Sequence, residues 1–212
     1  MSVNLQKGQK VDLTKGNAGI SKLMVGLGWD PVNQPASAAK SGGIFGSLLR
    51  GGGGGGGGSQ QFDCDASVIM LNANTKLTDK GNLIYYGNLK SRDGSVQHMG
   101  DNLTGQGEGD DEQVFIELNK VPADIQRLIF VVNIYDCAKR KQDFGMIQNA
   151  FIRVVDSNTN RELLKYTLSE NYAGKTALFA GEVYRHQGEW KFSALGEATN
   201  DVSLSEVIKR YA

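Results

Sequence analysis

Cysteine and histidine are scarce in this chain, at two copies each in 212 residues, and each shortage argues against a class of function. Cys64 and Cys137 lie outside any C-x-x-C spacing, which gives little support to a disulfide framework or a zinc knuckle; both read as free, buried thiols, with a redox pair as the alternative. His98 and His186 have no serine or cysteine pattern beside them to mark a nucleophile, so both read as structural histidines and the chain as a binding protein, not an enzyme. Metal-dependent phosphoryl chemistry would also want a positioned Lys or Arg and a base, and stays a minor alternative. Net charge is missing too. Lys plus Arg and Asp plus Glu both number 23, so no global field points to nucleic acid. The N-terminal MSVNLQKGQK has no apolar signal core, and no run approaches the roughly 18 apolar residues of a spanning helix. Those absences predict a soluble, cytoplasmic chain.

What is present is a series of short apolar runs separated by turn chemistry: KLMVGLGW, ASVIML, NLIYYG, QVFIEL, RLIFVVNIY, NAFIRVV, ELLKYTL, TALFAGEVYR and EWKFSAL. So many short strands in 212 residues predict a single mainly β domain, a sandwich or barrel. Val114, Ile116 and Leu118 alternate with Phe115 and Glu117, the period of a half-buried strand, whereas Leu128 to Val132 reads as buried on both faces. Tyr184 to Trp190 reads as a hairpin. After Asp201, Leu204, Val207, Ile208 and Tyr211 recur at helical spacing behind a Ser203/Glu206 capping box, which predicts a short C-terminal helix. AKRKQDF fits a solvated loop and a helical turn equally well. Residues 31–61 break the pattern; eight consecutive glycines, Gly51 to Gly58, predict a flexible insertion in which Ile44, Phe45, Leu48 and Leu49 offer one apolar patch.

The densest chemistry is GDNLTGQGEGDDE, which packs five carboxylates and four glycines into the thirteen positions from Gly100 to Glu112. Hard carboxylate oxygens on a loop whose carbonyls can turn inward suit Ca²⁺, which takes about six to eight oxygen ligands in adjustable geometry. An EF-hand is excluded, because Leu103, Gly105 and Gln106 stand where that loop needs two oxygen side chains and a glycine. A phosphate cradle is excluded by Glu108, Asp110 and Asp111, which would face phosphate oxygens. A solvated acidic turn remains open as the plain alternative. A second acidic element is FDCDASV, where Asp63 and Asp65 sit two apart at a strand start and point to one side while Cys64 points to the other. Asp30 ends the strand before the insertion, and convergence of the three segments would form one cup of carboxylates.

GLGWD (26–30), FDCDASV (62–68), GDNLTGQGEGDDE (100–112), QNAFIRVVD (148–156) and GEVYRHQGEWKF (181–192), in that order, resemble the TerD family of tellurium-resistance and chemical-stress proteins. The likeness covers nearly the whole chain apart from residues 31–61. It implies a two-sheet antiparallel β-sandwich similar to a C2 domain, with one or two calcium ions held by acidic loops. As ligands it implies Asp63 and Asp65, and Asp101, Asn102, Glu108, Asp110, Asp111 and Glu112 of the loop, with Asn88 and Asp30 as lesser candidates. The family commonly shows YNNLKS where this chain has Tyr86-Gly87-Asn88-Leu89-Lys90-Ser91, so one amide is lost and Asn88 is kept. The resemblance implies a calcium-ordered module in tellurite or chemical-stress resistance, with other tellurium-resistance proteins, one of them membrane-bound, as partners. The alternative is a calcium-dependent phospholipid adaptor, touching membrane through Lys139-Arg140-Lys141 and the 44–49 patch.

Overall fold

The computed structural model describes residues 2–17, 19–32, 62–100 and 109–212. The predicted patch at 44–49, and all of the predicted insertion after Val32, lie outside the described residues.

Among the described residues, twelve strands form two six-stranded sheets packed face to face. The first sheet runs β1 (Val3–Leu5), β10 (Arg161–Thr167), β9 (Ile147–Asp156), β3 (Lys22–Pro31), β7 (Glu112–Glu117), β6 (Val96–His98). The second runs β2 (Lys10–Asp12), β12 (Glu189–Thr199), β11 (Ala177–His186), β8 (Ile125–Ile134), β4 (Cys64–Asn72), β5 (Leu83–Ile84). The chain is thus a mainly β sandwich, with one departure from pure antiparallel pairing: β1 lies parallel to β10. The strand at each of the four sheet edges is only two or three residues long.

The period of two decides which side chains enter the gap between the sheets. In β7, Glu112, Val114 and Ile116 are buried while Phe115 faces out. In β3, Leu23, Val25, Leu27 and Trp29 join Cys64, Ala66, Val68 and Met70 of β4 in one inter-sheet core. The odd-numbered residues of β4 face the other way. There Ile69 and Leu71, with Ile129, Val131, Ala177 and Phe179, form a second apolar cluster on the outer face of the second sheet. That face is covered by the C-terminal segment, α2 (Leu204–Val207) and a following 3₁₀ turn to Tyr211, which seats Val207 on it. Ser203 caps α2 by accepting the Glu206 N–H at 3.3 Å, and the Glu206 carboxylate accepts the Val202 N–H at 2.9 Å. The β11–β12 hairpin turns through Gln187 and Gly188, both at positive φ as its tight connection requires. AKRKQDF contributes one helical turn, α1 (Cys137–Arg140), flanked by left-handed Asp136 and Lys141. β3 continues into the first residue of the predicted insertion, with Pro31 opposite Ile147.

Candidate functional site

The acidic segments do meet at one end of the sandwich, where β3 ends and β4 and β7 begin. Cys64 marks the spot. Its buried thiol is pushed well up, first by desolvation and then by the charges of Asp65, Asp63, Asp111 and Glu112 around it. The carboxylates are nevertheless divided among four places.

Asp110 lies over the outer face of the first sheet. Its carboxylate is wholly buried and gripped by Arg153 through two parallel bonds, Nε to Oδ1 at 2.7 Å and Nη2 to Oδ2 at 2.8 Å, with Gln113 Nε2 at 3.2 Å. Arg153 stands opposite Gly26 in the β3–β9 register. A Cβ on Gly26 would fall 2.3 Å from the Asp110 carboxylate, so the first glycine of GLGWD leaves the room that this ion pair occupies. Gly28 does the same for the Phe151 ring and the Gly109 carbonyl. Asp110 in turn raises the Arg153 pKa through these bonds.

Glu112 points into the mouth of the inter-sheet core. His98 Nε2 is 2.7 Å from its Oε2, and both side chains are 1% exposed. His98 Nδ1 accepts the Gly100 N–H at 3.1 Å, which leaves Nε2, the nitrogen beside the Glu112 carboxylate, to carry the ring proton. His98 is thus a structural partner of the acidic loop.

Asp111 turns back toward β3. Its Oδ2 accepts the Trp29 N–H at 2.7 Å and its own N–H donates to the Leu27 carbonyl at 2.8 Å, which locks the loop's exit onto the strand. Burial, with Asp30 and Asp110 nearby, raises the Asp111 pKa despite the Trp29 bond. Asp30 accepts from Asn149 Nδ2 at 2.9 Å.

Asp63 and Asp65 share the outer side of the second sheet, as their spacing predicts. Asp63 pairs with Arg140 at 3.2 Å, and the Arg140 guanidinium also lies 5.3 Å from the Tyr135 ring centre. Arg140 is therefore committed to the protein, which leaves Lys139 and Lys141 as the solvent-directed charges of the basic run. Asp65 is buried on β4 opposite Asn133 of β8. Asn88 spends its side-chain amide on the Leu83 carbonyl at 2.7 Å and closes the turn with Tyr85. Asp101, Asn102 and Glu108 lie outside the described residues. The pleat puts Asp65 and Asp110 on opposite outer faces of the sandwich, so these two do not share a cup. Arg153, the partner that fixes Asp110, escapes the sequence reading, because only the β3–β9 register brings it to Gly26.

Residues 1–211 match the TerD domain family. The chain belongs to that family. Stress response protein SCP2 of Bacillus subtilis (strain 168) is 62% identical to it over 211 residues, the full length of both. Tellurium resistance protein TerD of an Alcaligenes species is 43% identical, over 92% of this chain and 90% of that protein. The crystal structure of a homologue of telluride resistance protein (TerD) from Streptomyces coelicolor A3(2) superposes with a TM-score of 0.58 at 21% identity, over 86% of this chain and 92% of that one, and so shares the TerD fold. No helix among the described residues of this TerD-family chain is long and apolar enough to cross a membrane.

Proposed function

We propose that this TerD-family protein is a stress-response module ordered by calcium, acting in tellurite or chemical-stress resistance by binding partners rather than by catalysis. The observation that carries the metal reading is Asp111, held by the Trp29 N–H beside Asp30 and Asp110 so that burial and like charge both oppose its ionised form. A divalent cation reverses that opposition. Not every acid at this end fits the ion equally. Asp110 and Glu112 are turned to Arg153 and His98, and Asp63 to Arg140, so the best-fitting described donors are Asp111 and Asp30. They would hold calcium together with oxygens of the adjoining 101–108 segment, and the ion would supply positive charge that fixes the loop. Its relatives' names support the stress assignment, and other tellurium-resistance proteins, one membrane-bound, are the partners it would take.

Calorimetric titration and thermal melts test the metal. Calcium in about hundredfold excess over its dissociation constant should add about 2.7 kcal/mol of stability, and Mg²⁺ should compete poorly because it demands near-octahedral geometry. Asp111→Asn keeps an acceptor for Trp29 while removing charge; it should stabilise the metal-free protein and weaken calcium binding. Indifference of the melt to chelator, or equal affinity for the two ions, would sink the assignment. Tellurite sensitivity of a deletion strain, restored by the wild-type gene, tests the stress role.

A further inference from the structure

A cleft of about 430 Å³ opens on the outer face of the second sheet, between β4, β8, the turn after β5 and the C-terminal segment. That volume lies in the range of small-ligand sites. Its floor carries two oxygen acceptors with no hydrogen-bond partner among the described residues: Ser67 Oγ, on a residue 1% exposed, and Asn133 Oδ1, on a residue 6% exposed. Buried acceptors left unmet cost stability, and two of them beside one cleft are positions that a donor from outside can satisfy. The charge of the walls names the donor. Asp65 and Asp136 are the charged side chains lining the cleft, and both are carboxylates. Asp136 pairs with Lys139 at 3.6 Å on the surface, whereas Asp65 brings its carboxylate to the buried side of the cleft. Three half-exposed apolar side chains, Tyr86, Tyr135 and Val202, form the rim. Arg140 already rests against the Tyr135 ring, so a guanidinium is a demonstrated neighbour for this aromatic wall.

We propose that this cleft binds the ammonium or guanidinium group of an organic cation, with Asp65 as countercharge, Ser67 Oγ and Asn133 Oδ1 accepting its N–H donors, and Tyr86 and Tyr135 flanking its stem. The cation belongs to a small amine or to a lysine or arginine side chain of another protein. The site lies on the opposite outer face from Asp110 and does not rest on the calcium reading.

The test titrates L-arginine amide into isotope-labelled full-length protein in the presence of chelator, beside L-citrulline amide, which keeps the shape and lacks the charge. Arginine amide should give saturable shifts at the backbone amides of Tyr135, Val202 and Ser203, and citrulline amide should bind at least roughly tenfold more weakly. Ser67→Ala and Asn133→Leu each remove an unmet acceptor; both should leave the melting temperature unchanged or raised while weakening arginine amide about tenfold. An end-blocked Ala-Arg-Ala peptide separates the sources: tighter binding than the free amide assigns the cleft to a protein side chain, weaker binding to a small amine, and either upholds it as a cation site. No saturable response to arginine amide, equal binding of the two amides, or affinity untouched by both substitutions overturns the proposal. So does calcium alone shifting these three amides while arginine amide does not, which would assign the cleft to the metal.

Discussion

Asp110 and Asp65 are buried aspartates at the same end of one sandwich, yet the first sheet closes around its aspartate and the second leaves an opening beside its own. Over the first sheet, Arg153 meets both oxygens of Asp110, Gln113 adds a third bond, and a glycine clears the space. On the second, Asp65 shares a cleft with Ser67 and Asn133, whose acceptors the described residues leave unmet. One aspartate is spent on holding strands β3, β7 and β9 together; the other lines a place that something else can enter. Residue type alone does not separate these roles, since D-C-D and G-D-D look equally like ligand motifs in the sequence. The partner does.

The contrast is open to direct attack. Arg153→Met should have the largest effect, about 3 kcal/mol lost in urea unfolding, because it strands a wholly buried carboxylate. Adding Asp110→Asn should recover part of that loss; strictly additive effects would show that the pair is not coupled. Gly26→Ala should cost about 2 kcal/mol, since its methyl group meets the Asp110 carboxylate. At the second sheet the C-terminal cover gives a pH signature. Burial lifts the Tyr211 pKa to about 12 from the ordinary 10, so its contribution to stability is full below pH 10 and is lost as pH rises through about 12. Melts across that window should fall, and Tyr211→Phe should flatten the fall. The smallest effect belongs to Ser67→Ala, expected to shift stability upward by less than about 1 kcal/mol. A loss as large as that of Arg153→Met would erase the contrast.

The strands were legible where alternation was strong. Val114 and Ile116 face in and Phe115 out, Leu128 to Val132 is buried on both sides, and the Tyr184–Trp190 hairpin forms as its spacing predicts. β1, β2 and β6 were missed, since three residues are too few to show a period. The capping box at Ser203 appeared where predicted, though α2 lasts one turn before tightening to a 3₁₀ turn. Site geometry was legible only in part. That Asp63 and Asp65 point away from Cys64 follows from strand period; that Asp65 and Asp110 end on opposite faces follows from which sheet each strand joins, a non-local fact. The ion pair of Asp110 spans 43 residues of sequence and exists only through register. Asn133 is not legible as a site residue, because a single amide inside RLIFVVNIY looks like an interruption of a core strand and only its place opposite Asp65 gives it a meaning.

The short outer strands carry a separate consequence. Among the described residues, β1, β6, β2 and β5, at two or three residues each, are the margins of both sheets, while the strands inside them run from six to eleven. A long, bare margin is a template on which another chain can add a strand and begin an aggregate; a margin this short offers too few backbone donors and acceptors in a row for a second copy to zip on. Crowded copies of this protein are therefore guarded against edge-to-edge fibre growth by the brevity of the four strands that contribute least to its core.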